Sequence, residues 1–129
     1  MNLVKQQNGV DCGLAVAAML GACSYDEAAE ADPSPESTRG LSPKDLIYTI
    51  EGLTGRPYSE TRKGQGKPFS NYGLPLSPCA ILIREPGKSF GHWIATDGQS
   101  IFDPEMSKPL PLSDYPRKNW PIVRIIEPD

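Results

Sequence analysis

One histidine, three cysteines and a small excess of acidic residues set the first limits on this chain of 129 residues. No apolar stretch approaches the roughly twenty residues needed to cross a bilayer. The opening segment, Met1-Asn2-Leu3-Val4-Lys5-Gln6-Gln7-Asn8, lacks the apolar core and small-residue cleavage site of a signal peptide. The expectation is a cytoplasmic chain, unless another machine exports it. Cys12, Cys23 and Cys79 are too few and too odd in number for a disulfide scaffold, so free thiols are expected. With His92 as the sole imidazole, no common metal-ligand spacing is available, and neither a metal nor an organic cofactor is called for. A basic stripe is missing too. Thirteen Lys and Arg stand against sixteen Asp and Glu, for a net charge of −3. That argues against nucleic acid and against an anionic membrane surface as partners.

What the chain has in excess is turn chemistry, with 12 glycines and 14 prolines. The total is high for a globular protein and short of the disordered range. One loop-rich folded domain over 1–129 is the reading, without internal repeats.

The first half, 1–54, reads helical. Leu14, Ala15, Val16, Ala17, Ala18, Met19 and Leu20 follow Cys12 and Gly13, apolar nearly all round, as in a helix buried on most faces. Asp11 stands at its N-cap position and Gly21 near its end. Ser24 with Glu27 has capping-box spacing, and that short helix stops at Asp32-Pro33-Ser34-Pro35. Ser42 and Pro43 open a third, striped by Leu46, Ile47, Ile50 and Leu53. Residues 55–78 are rich in Gly, Pro and Lys and read as a long functional loop.

From 79 to 129 the pattern is that of strands. Cys79 to Arg84 is a short apolar run. His92 to Thr96 and Gln99 to Phe102 flank Asp97-Gly98, a two-residue hairpin signal, and Ile122 to Ile126 closes the chain. Helices first and antiparallel strands afterwards predict an α+β fold.

Cys12 opens a buried helix, where unpaired N–H groups and the dipole stabilise a thiolate. The competing reading is a small buried hydrophobe. His92 tips the balance. Counting outward from Asp97-Gly98 pairs Thr96 with Gln99 and carries His92 to a place opposite Asp103. Cross-strand partners share a face, so Asp103 can hold one ring nitrogen and leave the other as a base. Gln6, six residues before Cys12, can join the Cys12 backbone N–H in holding an oxyanion, with Gln7 as a competitor for that role.

Val4-Lys5-Gln6 and Asp11-Cys12-Gly13-Leu14-Ala15, followed by Gly91-His92-Trp93-Ile94 and Ile101-Phe102-Asp103-Pro104, resemble the motifs of papain-like cysteine peptidases. Within that class they are similar to the bacteriocin-processing (double-glycine) peptidase domains and their free-standing relatives. The resemblance implies a papain-like fold, with the nucleophile helix packed on a C-terminal antiparallel sheet. It implies Cys12 as nucleophile, His92 as base, Asp103 as orienter and Gln6 as oxyanion residue. Better-known relatives are fused to a transporter, and no such part is present in these 129 residues. Double-glycine leader specificity is therefore not carried over.

The function expected is hydrolysis of an amide bond in a peptide or protein substrate, through a thioester. Phe69 and Tyr72 in the long loop, with Trp93 beside His92, are the expected substrate-binding residues. Two alternatives stay open: an acyl transferase or deconjugase on the same triad, and a peptide-binding module without turnover.

Overall fold

A computed structural model describes residues 1–33 and 40–129. Three helices come first: α1 (Cys12–Gly21), α2 (Tyr25–Ala31) and α3 (Pro43–Thr54). A five-stranded antiparallel sheet follows, built from β1 (Tyr58–Thr61), β2 (Cys79–Arg84), β3 (Gly91–Thr96), β4 (Ile101–Phe102) and β5 (Ile122–Pro128), in the order β1-β5-β2-β3-β4. One turn of helix, α4 (Phe69–Tyr72), lies between β1 and β2. This is an α+β fold.

The helix signals act locally as their chemistry requires. Ser24 and Glu27 form a reciprocal capping box at α2. Ser42 Oγ accepts from Asp45 N at 3.2 Å, and Gly55 ends α3 in the left-handed region. The expected stop after α2 lies partly in 34–39, outside the described residues.

Alternation along the strands divides the apolar side chains between two faces. Ala80, Trp93, Ala95, Phe102 and Ile126 pack under Val16, Ala17 and Met19 of α1 and Leu46 and Ile50 of α3. Ile81, Ile83, Ile94, Ile101 and Ile125 point the other way, onto Phe69 and Tyr115. The loops that follow β1 and β4 therefore act as the second layer of the domain. Apolar burial on both faces explains the continuous apolar runs of β2 and β3.

Three corrections concern the sheet and its second core. The stretch 55–78 is more than a loop: β1 pairs with β5, Tyr58 opposite Pro128, and α4 plugs the second core. Apart from the buried Tyr58, β1 is short and polar, as an edge strand should be, so it gives no apolar period to read. Phe69 belongs to the core. It is fully buried and meets the Tyr115 ring edge-on at 6.2 Å, so it cannot grip a bound chain. Phe69→Ala should cost about 3–5 kcal/mol of stability, the range for emptying a buried aromatic site. Chemical denaturation measures this, and the Michaelis constant of the folded fraction should not change.

The third correction is the hairpin register. Ala95 pairs with Phe102 and Thr96 with Ile101, two residues out from the expected pairing. Asp97 Oδ1 accepts from Gln99 N and Ser100 N, each at 2.9 Å, and Thr96 Oγ1 donates to Ser100 O at 2.8 Å. These side-chain bonds hold a four-residue turn, 97–100, in place of the two-residue one. Gly98 adopts φ +96° there, and a Cβ would lie 2.7 Å from Leu76 O. A slip of one residue would have turned every side chain over, whereas a slip of two keeps each on its face.

Candidate active site

Cys12 enters the site from the first turn of α1, 7% exposed. Gly13 lets the 40–41 segment close over this turn, since a methyl there would lie 3.0 Å from Leu41 Cβ. The Cys12 sulfur accepts from the Trp93 backbone N–H at 3.4 Å, which ties α1 to the start of β3.

His92 sits one residue earlier on β3. Its Nε2 lies 2.8 Å from Asp103 Oδ1, so the diagonal produced by the two-residue slip still joins them. A carboxylate can only accept, so Nε2 carries a proton toward Asp103, and Nδ1 is the ring nitrogen left for Cys12. Burial alone would lower the His92 pKa. Hydrogen bonds to Asp103 and Cys12, reinforced by their charges, overcome it and hold the imidazole at about 9.

Asp103 is 1% exposed, and both of its oxygens are occupied. Oδ1 accepts from His92 and from Glu105 N at 2.9 Å; Oδ2 accepts from Tyr115 Oη at 2.6 Å and Arg117 at 3.0 Å. Burial pushes its carboxyl up, and the bond and charge of His92, with Tyr115 behind them, outweigh this and bring it below the usual range. Arg117 bridges on to Glu105 at 2.8 Å and lies over the Trp120 ring at 4.9 Å. Tyr115, Arg117 and Glu105 were not singled out from the sequence. They come from Pro-rich chain after β4, where no periodicity points to them.

His92, Asp103 and Glu105 offer ligand atoms within 4.8 Å of one another, a spacing compatible with a metal. Arg117 already supplies the cation between the two carboxylates, which is poor company for a second one.

Cys12 and His92 open into a cleft of about 850 Å³, lined also by Val10, Leu41, Glu85, Phe90, Trp93 and Trp120. Of the three expected substrate contacts only Trp93 lines it. Trp93 is 2% exposed, and its indole N–H donates to Leu41 O at 2.8 Å. Tyr72 lies outside the cleft lining, with its ring against Gly64, and Phe69 is in the second core.

Gln6 is tied to the chain just after Asp103 through its backbone, with N donating to Pro104 O at 3.2 Å. Its Nε2 donates to Asn8 O at 2.7 Å, so one amide hydrogen remains for another acceptor, and its Oε1 is buried without a partner. Asp11 does not cap α1, contrary to expectation. Its carboxylate turns back to accept from Gln7 N at 2.8 Å, Asn8 N at 3.0 Å and Tyr25 Oη at 2.6 Å. The first turn of α1 is thereby left without a side-chain cap.

The remaining thiols have other surroundings. Cys79 is fully buried in the second core, and burial, with a smaller push from Glu127, raises it to about 12. Burial and then Glu27 raise Cys23.

Among the described residues, no helix is long and apolar enough to cross a membrane. No protein-family model matches the chain, and no curated protein matches it. Among solved structures it is similar to the peptidase domain of Streptococcus ComA, a bi-functional ABC transporter involved in a quorum-sensing pathway. The TM-score is 0.67 at 19% identity, covering 98% of each chain. The chain thus has the fold of a papain-like peptidase domain.

Proposed function

We propose that this chain is a cysteine peptidase that cleaves an amide bond in a peptide or protein. The observation that carries the reading is the line from the Cys12 thiol through the His92 imidazole to the Asp103 carboxylate, at the mouth of a cleft. The likeness to a peptidase domain supports it at the level of the fold.

The chemistry follows from the atoms available. In the Cys12–His92 pair the imidazole, held at about 9, carries the shared proton on Nδ1, and the sulfur adds to the scissile carbonyl carbon. The carbonyl oxygen takes the negative charge and is held by the Cys12 backbone N–H at the uncapped start of α1 and by the Gln6 amide. His92 then returns its proton to the departing amine as the C–N bond breaks, leaving a thioester on Cys12. Water, deprotonated by the same imidazole, releases the acid and restores the thiol. Asp103 keeps the ring oriented and stabilises its positive charge throughout.

A thiol-directed peptide electrophile tests this against a module that only binds. Labelling followed by mass spectrometry should find the adduct on Cys12 and not on Cys23 or Cys79, whose thiols are raised by burial. Equal labelling of all three would favour the binding module.

A further inference from the structure

We infer that Asp11, braced by the Tyr25 hydroxyl, is a positioning residue that sets the Gln6 amide at the oxyanion site. The inference rests on the peptidase reading and concerns a residue beside the nucleophile that touches no reacting atom.

Three donors converge on the Asp11 carboxylate, which is itself 6% exposed. Two are consecutive backbone N–H groups, Gln7 and Asn8, and the third is Tyr25 Oη from the first turn of α2. Asn8 is in turn the residue whose carbonyl receives the Gln6 side chain, while Asn8 Oδ1 accepts from Val10 N at 2.9 Å. The segment 6–10 is therefore strung between two anchors, Pro104 O behind the triad aspartate and Asp11 in front of the nucleophile. Fixing both ends of so short a loop restricts the Gln6 side chain, whose Nε2 is held on Asn8 O within the same segment. Burial, followed by the bond to Asp11 and its charge, lifts the Tyr25 hydroxyl to about 12, so it stays a donor at any working pH.

An ordinary cap would accept from the N–H groups of the first turn. Asp11 turned backward leaves the α1 N–H groups open and spends its charge on the loop that carries their partner donor. Asparagine cannot substitute. It offers one oxygen to three donors and presents N–H to at least one backbone N–H.

The test compares two reactions of the same sulfur. Acylation by p-nitrophenyl acetate builds an oxyanion, whereas alkylation by iodoacetamide displaces iodide at a saturated carbon and builds none. Tyr25→Phe should slow acylation about tenfold, the effect of one hydrogen bond to a charged group. Asp11→Asn should slow it about 100-fold, comparable with losing an oxyanion donor. Alkylation should proceed at the parent rate in both. In a Gln6→Ala background Tyr25→Phe should add nothing further, because the group it positions is gone. Unchanged acylation in both single variants would overturn the inference, as would alkylation falling in parallel with acylation. A parent chain that is alkylated but never acylated would overturn the peptidase reading itself, and the parent alone reveals that outcome.

Discussion

Asp103→Asn should lower kcat by about 10⁴-fold while the fold survives. The carboxylate takes four donors on two oxygens: His92 and Glu105 N on one, Tyr115 and Arg117 on the other. An asparagine oxygen would turn to the cationic side, toward Arg117. Its NH₂ group would then face His92 Nε2 and Glu105 N, both of which had been donating. The imidazole escapes the clash by moving its proton to Nδ1, the nitrogen that must accept from Cys12. A ring in that tautomer cannot act as the base. The stability cost should be about 1–3 kcal/mol, since one or two buried donors lose their acceptor. Steady-state kinetics beside thermal melting separates the two effects. Activity within tenfold of the parent would mean that Glu105, whose Oε1 is 3.5 Å from His92 Nε2, orients the ring instead.

The pair tested there was legible in the sequence for a partly wrong reason. In the sequence Asp97-Gly98 signals a two-residue loop, and the outward count from it brings His92 opposite Asp103. In the structure Asp97 uses its carboxylate to hold 97–100, and the pairing moves by two residues. His92 and Asp103 still meet because an even slip preserves the face. Capping residues were legible where they act on their own helix, as Ser24 and Ser42 do. Asp11 was not, because the same side chain in the same position serves a preceding loop and a tyrosine fourteen residues on. Composition also hides a polar edge strand such as β1 and an isolated core aromatic such as Phe69. Their partners, β5 and Tyr115, lie more than forty residues away in sequence. Nothing local distinguishes a loop aromatic that binds substrate from one that plugs a sheet face.

Cys12→Ser should reduce turnover by about 10⁶-fold, the scale on which removal of a nucleophile acts in a hydrolase triad. The more informative result is expected at His92. Burial would depress this imidazole; hydrogen bonds to Asp103 and Cys12, and the charges of both, raise it to about 9. A serine hydroxyl stays neutral at these pH values and contributes no charge, so the imidazole should titrate lower in the variant. Asp103 remains, and keeps part of the upward shift. His92 is the only histidine, so one imidazole proton resonance followed against pH reports the change without assignment. The sign for stability follows from the same shift. An unfolded imidazole titrates near 6.5. The folded one binds its proton more tightly, so its stabilising contribution is complete below about pH 6.5 and is lost as pH rises through about 9. Parent melting temperature should therefore fall across that window, and Cys12→Ser should show a smaller fall that ends at lower pH. A variant that still titrates at about 9 would mean that Asp103 alone holds the proton. The thiol would then stand outside the charged pair, and the attack by Cys12 would need a different source of activation.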